Sequence, residues 1–356
     1  MTRPGDPLIL RSLRVPNRLW MSPMCQYSSE PTGPGAGSVT DWHVSHLEAR
    51  AVGGVGLILT EATAVHPEGR VSPTDLGIWA DAQVPGLARV VAAVERHGVV
   101  PALQLGHAGP KASTYQPWVD RRRRVEPADG GWIPWAPSPA PDGPVVRALS
   151  EAQVDAVPAL FAAAAARARR AGFRAIEVHV AHGYLLHAFL SPLSNTRGDA
   201  YGRDRTKLVS DVIGAVREVW PQALPVLLRI SGTDRLGGGL TVEDAVALTE
   251  KVVPMGVDLV DVSSGGLRPA AVDAFPGYQV PLAATVRRAT GAVVSTVGLI
   301  EETGHVERIL ASGEADVVLA GRALLRDPHW ARTVLREAGS PVAWPRQYAW
   351  ALGPVG

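Results

Sequence analysis

Short runs of β-branched and leucine residues recur along the whole chain, and each run is followed by a segment long enough to form a helix. The apolar residues within a run are continuous, which is typical of parallel strands buried on both faces. Eight such strands are predicted, over residues 19–24, 55–62, 101–108, 175–181, 225–231, 259–263, 293–297 and 316–320. Eight helices are predicted between and after them, over residues 41–52, 83–97, 151–171, 204–220, 242–254, 279–290, 302–312 and 328–338.

The alternation of strands with helices predicts the fold class. It indicates an α/β protein whose parallel sheet closes into a (β/α)8 TIM barrel, and 356 residues suit one such domain with insertions. A doubly wound open sheet is the alternative. That fold usually has a glycine-rich turn after its first strand, and none follows residues 19–24. We therefore expect a single TIM-barrel domain over residues 1–356.

One interval departs from this alternation, between the third and fourth predicted strands. Residues 109–149 contain Trp118, Trp132, Trp135, many prolines and the basic run 121–124. A loop of this length in a compact domain is usually either functional or disordered. Its aromatic residues favour an ordered, inserted cap over the carboxyl ends of the strands. The basic run is interpreted as a solvated face in preference to a phosphate clamp.

Bulk composition excludes several classes of function. Hydrophobic residues make up 46% of the chain and charged residues 19%, and the formal net charge of +1 gives no reason to expect a nucleic-acid or membrane partner. Cys25 is the only cysteine, which excludes an intramolecular disulfide and four-cysteine zinc or iron–sulfur sites. Neither an apolar signal segment at the start nor a run of membrane-spanning length is present, so a cytoplasmic protein is expected.

Chemistry is expected at the carboxyl ends of the strands, because these ends share the face that holds the active site in TIM barrels. His179 and His182 stand at the end of the strand 175–181, and Tyr184 follows two residues later. A satisfied core histidine plus a surface histidine is the alternative interpretation, and no metal site is expected at this pair. The other residues at the strand ends are Pro23, Met24, Cys25, Ala62, Gln104, His107, Arg229, Ser263, Gly265, Val297, Gly298, Gly321 and Arg322.

Two glycines follow the last two strands, where many barrels bind a phosphate through backbone N–H groups. Gly298 comes after the seventh strand and Gly321 after the eighth, and Arg322 adds a charge-assisted donor. A glycine often only ends a strand. The presence of both in these places nevertheless indicates a phosphorylated cofactor.

Several short motifs resemble the old yellow enzyme family, in its thermophilic-like class of bacterial flavin ene-reductases. They are residues 21–28 (MSPMCQYS), 41–43 (DWH), 104–109 (QLGHAG), 177–184 (EVHVAHGY), 187–195 (HAFLSPLSN), 261–266 (DVSSGG) and 321–322 (GR). The resemblance runs over nearly the whole chain. It implies one non-covalent FMN that is reduced by NADPH or NADH and reoxidised by an activated alkene, such as an enone, an enal or a maleimide. A small α,β-unsaturated substrate and a homodimer or homotetramer are the partners that it implies.

The same resemblance implies roles for individual residues. His179 and His182 would hold and polarise the substrate carbonyl oxygen, and Tyr184 would protonate the α-carbon after a hydride from flavin N5 reaches the β-carbon. Gln104 would meet the pyrimidine edge of the flavin and Arg229 its N1–O2 side, although a structural ion pair with a barrel acid is the alternative for Arg229. The implied cofactor-binding set is Pro23, Met24, Cys25, Ala62, Gln104, His179, Arg229, Ser263, Gly265, Val297, Gly298, Gly321 and Arg322.

Three more residues receive roles only through the resemblance. Cys25 would lie beside the flavin and tune its redox potential, although a buried cysteine is more often an inert apolar residue. Tyr27 would place a hydroxyl near the substrate carbonyl. Arg346, in the aromatic tail 340–356, would reach the active site of a neighbouring subunit. Packing of the tail on its own barrel is the alternative.

Two departures from the family pattern leave details open. The segment after residues 199–202 continues directly to Arg203, which makes this loop shorter than usual. Pro110 stands where the family often has an arginine, so the choice between NADPH and NADH stays open.

Two other functions suit a barrel of this kind. A flavin-free lyase or isomerase could use His179 and Lys111 as acid and base. A non-catalytic flavin sensor could use Cys25 as its redox element. A dienoyl-CoA reductase with an iron–sulfur cluster is excluded by the single cysteine.

Overall fold

The computed structural model of this chain describes residues 1–120, 123–140, 143–269, 272–342 and 344–352. Eight parallel strands form a closed sheet in which each strand pairs with the next and the last pairs with the first. They are β1 (Leu19–Met21), β2 (Leu57–Leu59), β3 (Val100–Gly106), β4 (Ala175–Val180), β5 (Val226–Ser231), β6 (Leu259–Ser263), β7 (Val294–Thr296) and β8 (Val317–Ala320). The predicted TIM barrel is confirmed, and each strand overlaps its predicted range.

A helix of eight or more residues follows each barrel strand in the chain. The helices are α1 (Asp41–Val52), α2 (Val84–Glu95), α3 (Val157–Ala171), α4 (Lys207–Val219), α5 (Val242–Val252), α6 (Val280–Thr290), α7 (Thr303–Ser312) and α8 (Trp330–Glu337). Apolar spacing explains them: α4 buries Leu208, Val209, Val212, Ile213 and Val216, which recur on one helical face. Within the described parts of the chain, no helix is both long and apolar enough to cross a membrane.

The helix predicted over residues 151–171 is divided in two. A short helix, Glu151–Asp155, ends before α3 begins at Val157, and Pro158 lies in the first turn of α3. Proline lacks the N–H that would continue the hydrogen-bond ladder of the first helix, but it is well suited to the first turn of a new one.

An antiparallel hairpin that the hydrophobic pattern did not predict precedes the barrel. Its strands, Leu8–Leu10 and Leu13–Val15, are joined by a tight turn in which Arg11 has a φ of 54°. Leu10, Leu13 and Val15 are buried with residues at the amino ends of the barrel strands, including Leu57 and Val317. The hairpin therefore closes the amino end of the barrel, which leaves the carboxyl ends open for a site.

Several short elements in the connections were also not predicted. They are the strand Thr63–Ala64, the helices Pro117–Asp120, Leu185–Leu190, Ala200–Arg203 and Arg322–Arg326, and the 3-10 turns Pro67–Gly69, Asp81–Gln83, Gly109–Lys111, Pro127–Asp129 and Arg346–Leu352. Most of them lie in the connections that follow the carboxyl ends of the strands. Short elements there can position individual side chains at the strand ends.

The described parts of the insertion 109–149 are tied to the barrel by tryptophans. Its strands Trp135–Ala136 and Arg147–Ala148 pair in parallel. Trp132 Nε1 donates to the Glu68 carbonyl at 2.8 Å, and Trp135 Nε1 donates to Glu68 Oε2 at 2.6 Å. Residues 121–122 and 141–142 lie outside the described residues, so the interpretation of the basic run can be compared only at its last two positions: Arg123 is exposed, and Arg124 donates to two backbone carbonyls.

Candidate active site at the carboxyl ends of the strands

A layer of polar side chains crosses the inside of the barrel, and we call it the polar layer. Strand register brings its members together, since Gln104 is paired with Glu177 and Arg229 with Asp261. Gln104 Nε2 donates to Glu177 Oε1 at 2.7 Å, and Arg229 Nε lies 3.0 Å from Asp261 Oδ2. Ser295 Oγ donates to the other Asp261 oxygen at 3.0 Å. Arg229 therefore forms the ion pair that was the alternative interpretation of this residue.

The polar layer holds two buried carboxyl groups against one guanidinium. Glu177 and Asp261 are both fully buried. Burial and then the repulsion of Asp261 raise the pKa of Glu177 to about 8, and burial also raises the pKa of Asp261. The pair consequently retains a proton at neutral pH, which leaves one negative charge to balance Arg229. Both acids are present in the sequence motifs. Their position inside otherwise apolar strands was the signal from which a buried polar group could have been predicted.

His179 and His182 form one directed chain of hydrogen bonds. His179 Nδ1 accepts from the Ala181 N–H at 3.2 Å, which assigns the ring proton of His179 to Nε2. That nitrogen lies 3.3 Å from His182 Nδ1. His182 Nε2 is 2.8 Å from Ser263 Oγ, and Ser263 in turn donates to the Ile230 carbonyl at 3.1 Å. The two histidines are thus in contact with each other.

The backbone around the second histidine is held in an uncommon conformation. His182 has a φ of 58°, and its N–H donates to Ser231 Oγ at 3.1 Å. The next N–H, of Gly183, donates to His187 Nδ1 at 2.7 Å, and His187 Nε2 lies 2.9 Å from Asp234 Oδ1. These buried partners stabilise a left-handed residue that would otherwise cost on the order of 1 kcal/mol or more.

Both imidazoles are neutral at physiological pH. Burial, with a further contribution from the Arg229 guanidinium, lowers the pKa of His179 and that of His182 well below the usual value for histidine. Burial also raises the pKa of Tyr184 well above the usual value for tyrosine. The site therefore contains neutral N–H donors and a protonated phenol, which are suited to hydrogen bonding and proton donation rather than to holding a permanent charge.

Cys25 lies beside two carboxylates that the sequence analysis did not identify. Ligand atoms of Cys25, Glu61 and Asp75 all lie within 4.8 Å of one another. Burial, then Asp75 and Glu61, raise the pKa of the Cys25 thiol well above its usual value. Glu61 and Asp75 come from the connection after β2, and no sequence spacing relates them to Cys25, so only the tertiary structure could reveal the group.

A cavity of about 310 Å³ lies at the carboxyl ends of β6, β7 and β8. It is lined by Gly298, Gly321 and Arg322, as the sequence predicted, and also by Tyr278 and Gln279, which the sequence analysis missed. The other lining residues are His182, Arg229, Ser263, Ser264, Val297, Leu299, Ile300, Glu301, Leu319, Ala320 and Ala323.

The shape of this cavity depends on a glycine. Gly298 has a φ of 129°, and a Cβ there would lie 3.1 Å from the Tyr278 ring. Gln279 supports the same corner: its Oε1 accepts from Ser264 Oγ at 2.9 Å and its Nε2 donates to the Val297 carbonyl at 3.0 Å. Backbone N–H groups and one arginine at such a corner can hold a phosphate.

Other predicted residues lie near these groups. A Cβ on Gly106 would lie 3.6 Å from the His179 Cβ and 3.9 Å from the Ala62 Cβ, which places Ala62 beside the histidines. A Cβ on Gly321 would lie 3.3 Å from Met24 Sδ. The remaining ones, Pro23, Cys25, Gly265 and Val297, follow β1, β6 and β7 directly.

Some predicted residues lie at the edge of the site or outside it. Tyr27 has a φ of 53°, and its ring meets the Trp118 ring edge-on with centroids 5.5 Å apart. His107 packs against Trp135 of the insertion, with ring centroids 4.5 Å apart, and its ring lies 6.2 Å from that of His66, so it is not part of the histidine pair. Arg346 is exposed and, among the described residues, forms no hydrogen bond or ion pair with the strand ends of its own chain.

The tail is divided between packed and exposed aromatic residues. The Arg332 guanidinium lies 4.5 Å from the centre of the Trp344 ring, so this part of the tail packs on its own barrel. Trp350, by contrast, is 98% exposed. Residues 343 and 353–356 of the tail lie outside the described residues.

Comparison with known proteins relates this barrel to a group of flavin enzymes. Residues 6–338 match the family described as NADH:flavin oxidoreductase / NADH oxidase. The chain belongs to this family. It is 43% identical over 349 residues to the NADPH dehydrogenase of Geobacillus thermodenitrificans (strain NG80-2), with 96% of both chains covered.

Solved structures of flavin enzymes have the same barrel. An old yellow enzyme homologue from Zymomonas mobilis gives a TM-score of 0.78 at 24% identity, over 96% of this chain and 94% of that one. Morphinone reductase in complex with tetrahydroNAD gives a TM-score of 0.76 at 26% identity, over 97% and 93%. The resemblance to the old yellow enzyme family is confirmed. This member of the NADH:flavin oxidoreductase family is an FMN-dependent enzyme that uses NADPH or NADH.

The residues at the strand ends of this family member are compatible with FMN. The corner beside Gly298 and Gly321, with Arg322, can hold the phosphate group. Glu177 uses one of the two N–H bonds of the Gln104 amide, so the second N–H and the carbonyl oxygen remain to donate to and accept from a pyrimidine ring. Arg229 adds a positive charge within the same polar layer.

Proposed function

We propose that this protein reduces alkenes conjugated to an electron-withdrawing group, such as enones, enals and maleimides, with NADPH or NADH as the source of hydride. The observation that carries the proposal is the pair of imidazole nitrogens, His179 Nε2 and His182 Nδ1, which face each other at 3.3 Å. Two N–H donors that converge on one point suit a carbonyl oxygen on which negative charge develops during reduction.

The Ser263 hydroxyl sets whether both imidazoles donate. At present His182 Nδ1 accepts from His179, and His182 carries its proton on Nε2 towards Ser263. If the hydroxyl turns from the Ile230 carbonyl to donate to His182 Nε2, the His182 proton resides on Nδ1 instead. His179 Nε2 and His182 Nδ1 can then both donate to one substrate oxygen. The bond between the two histidines and the bond from Ser263 to the Ile230 carbonyl are lost, and two bonds to the substrate replace them, so the number of hydrogen bonds is unchanged.

Tyr184 is the proton donor in this proposal. Its phenol keeps its proton because burial raises its pKa, and its ring lies against His179, next to the carbonyl clamp. When bound, FMN supplies the hydride for the β-carbon. Donation from the Tyr184 hydroxyl to the α-carbon then completes the addition of a hydride and a proton across the double bond, and the negative charge held by the two histidines is discharged.

The cofactor positions follow from the chemistry of the lining. We assign the phosphate to the backbone of Gly298 and Gly321 and to Arg322, and the pyrimidine edge to Gln104 and Arg229. The walls around the ring and the ribityl chain are assigned to Pro23, Met24, Cys25, Ala62, His179, Ser263, Gly265 and Val297. Tyr27 is assigned to the substrate side, since it is one of the groups that raise the Tyr184 pKa and its ring meets Trp118 of the insertion. The insertion is proposed as a cap over the substrate.

The tail extends the proposal to the assembly. Arg346 and Trp350 are exposed at the end of a folded chain, where unpaired aromatic side chains are unusual. A planar guanidinium and an exposed indole on the same segment suit an interface with a second copy. We therefore propose a cytoplasmic homodimer or homotetramer in which Arg346 reaches the substrate site of a neighbouring subunit.

Anaerobic stopped-flow spectroscopy tests the proposed activity. The holoenzyme is reduced with one equivalent of NADPH or of NADH, then mixed with 2-cyclohexenone, an enal, N-phenylmaleimide or the saturated ketone. Reoxidation by the unsaturated compounds, and none by cyclohexanone, is expected. Reduction by NAD(P)H followed by reoxidation with oxygen alone would contradict the alkene proposal and leave the flavin assignment intact.

A further inference from the structure

Cys25, Glu61 and Asp75 form a group whose chemistry the proposed reduction does not use. Ligand atoms of the three residues lie within 4.8 Å of one another. Asp75 is fully buried, Glu61 is 4% exposed, and Cys25 is partly exposed. Two carboxylates and a thiol so close together in a desolvated place are unfavourable unless a proton or a cation lies between them.

Neither carboxylate has a cationic side chain as a direct partner. Among the residues that the structure describes, no lysine or arginine forms an ion pair with Glu61 or Asp75. Arg70 is the cation that acts on Asp75 from further away, and its guanidinium is bound to the backbone carbonyls of Pro31, Pro67 and Pro73. No lysine or arginine of the described residues therefore contacts the group, and its charge is left to be balanced by protons or by a bound cation.

One oxygen of the group is left without a partner. Asp75 Oδ2 accepts from the N–H groups of Val71 and Ser72, at 2.8 and 3.1 Å. Asp75 Oδ1 is buried and has no hydrogen-bond partner among the described residues. A carboxylate that is fixed by two backbone donors through one oxygen, with its other oxygen unused, has the form of a preorganised metal ligand.

The second carboxylate is oriented in the same way. Glu61 Oε2 accepts from the Gln26 N–H at 3.0 Å, and Glu61 Oε1 lies 3.3 Å from His43 Nε2. The Thr40 N–H donates to His43 Nδ1 at 3.0 Å, which assigns the imidazole proton to Nε2, facing Glu61. The Gln26 N–H bond and the nearby His43 ring are outer contacts of the kind that hold the first ligands of metal sites in place.

We propose that Cys25, Glu61 and Asp75 form a binding site for one thiophilic divalent cation, of which Zn²⁺ is the biological example. A thiolate and two carboxylates give three ligands of the types that Zn²⁺ accepts and leave a fourth position for water. The thiolate selects against Mg²⁺ and Ca²⁺, which prefer oxygen ligands alone. Binding releases the thiol proton, and any proton shared by the carboxyl groups, to solvent.

Such a site would make the enzyme sensitive to zinc. Because Cys25 follows β1 directly, at the carboxyl ends of the strands, a cation on its sulfur would change the charge of the candidate active site. The inference concerns the binding of the ion, and it does not depend on which alkene the enzyme reduces.

Metal titration of the untagged, chelator-treated holoenzyme tests the proposal. Isothermal titration with ZnCl2 is expected to give one ion per chain. Titration with CdCl2 is expected to give a sulfur-to-cadmium charge-transfer band in the ultraviolet difference spectrum, which reports a thiolate ligand directly. MgCl2 should give neither signal.

Isosteric variants locate the ion. Cys25→Ser should abolish the cadmium band, and Asp75→Asn and Glu61→Gln should each weaken zinc binding by at least about tenfold. Glu48→Gln is the matched control, since Glu48 lies 3.2 Å from His97 in a surface pair that could bind zinc adventitiously. Flavin absorbance and circular dichroism check that each variant is folded.

Three outcomes would overturn the proposal. They are the absence of zinc uptake by the wild-type holoenzyme, uptake that is unchanged in Cys25→Ser, and uptake that is lost in Glu48→Gln. If Asp75→Asn does not fold, the cadmium band of the wild-type protein and its loss in Cys25→Ser still decide the question.

Discussion

The rings of His179 and Tyr184 are stacked, with centroids 4.3 Å apart and planes inclined by 17°. The face of the His179 ring therefore packs against the Tyr184 ring, while the Nε2 edge of His179 contacts His182. Because the stacking involves the ring and not the hydroxyl, the position of Tyr184 can be kept while its proton is removed. This relationship makes Tyr184→Phe a clean test of proton donation.

Tyr184→Phe should slow the reoxidation of the reduced enzyme by 2-cyclohexenone on the order of 10²-fold, the typical contribution of a positioned general acid. Nitroalkenes should be affected much less, because their reduced product is a stable anion that can take its proton from water. The rates are measured by anaerobic stopped-flow. Equal slowing of both substrates would show that Tyr184 positions the substrate and is not the acid.

The double variant His179→Ala/His182→Ala should retain FMN and lose nearly all enone reduction. Removal of one preorganised donor of this kind typically costs on the order of 10²–10³ in rate. Oxidation of NADPH by oxygen should continue, since oxygen needs no carbonyl clamp. Normal turnover of cyclohexenone by this variant would refute the assigned roles.

Arg229→Met should destabilise the protein by about 3–5 kcal/mol, because it leaves the buried Asp261 carboxylate without its cation. Adding Asp261→Asn to the same chain should recover much of this loss, since the variant then has neither charge. Urea unfolding of the two single variants and of the double variant gives the coupling free energy. If the losses in the free energy of unfolding of the two single variants add up to that of the double variant, Arg229 and Asp261 have no coupling free energy despite their 3.0 Å separation.

Glu177 should make stability depend on pH. Its folded pKa is raised to about 8, whereas its unfolded value is about 4.3. The folded state therefore binds more protons between these limits, so the stabilising contribution is fully present below about pH 4.3 and is lost as pH rises to about 8, by up to about 1.4 kcal/mol per pH unit.

Glu177→Gln should flatten this dependence, because the amide oxygen can still accept from Gln104 and carries no charge at any pH. The measurement is the thermal midpoint of the holoenzyme at intervals from pH 5 to pH 8, with the exposed Glu250→Gln as the control. If the wild type and Glu177→Gln change in parallel with pH, the buried carboxyl is not responsible.

Truncation after Gly339 should dissociate the oligomer and weaken enone binding together, whereas Arg346→Ala should weaken binding and leave the assembly largely intact. The two variants should differ because the whole tail forms the proposed interface, whereas only the Arg346 guanidinium is proposed to reach the substrate. Light scattering and the concentration dependence of reoxidation measure the two effects. A fully active monomer at assay concentration would contradict the proposed shared site.

The barrel could be predicted because its signal is local and repeated. Continuous apolar runs such as those of β4 and β5, each followed by a helix-length segment, leave few arrangements other than a closed parallel sheet. The hairpin Leu8–Leu10 with Leu13–Val15 was missed because its strands have three residues each and become buried only against the amino end of the finished barrel.

The residues of the candidate site could be predicted where they lie at the ends of strands that the hydrophobic pattern locates. His179, His182 and Tyr184 lie within six residues at the carboxyl end of β4, so their proximity required only that this strand end be identified correctly. The carboxyl partners were less visible. Glu177 and Asp261 belong to quoted motifs, but their shared guanidinium depends on the register of three neighbouring strands. Tyr278 and Gln279 line the cavity immediately before α6, and the predicted start of a helix at residue 279 gave no sign of that position.

The sequence by itself determined the fold class, and it pointed to the carboxyl end of the barrel and to the candidate donor groups, because each of these depends on hydrophobic period or on residues near one another in the chain. Only the tertiary structure decided how those groups are paired. The direction of the His179–His182–Ser263 chain and the meeting of Cys25 with Glu61 and Asp75 arise from separate strands brought within hydrogen-bond or ligand distance. Such distances follow from barrel closure and register, and no local pattern of residues encodes them.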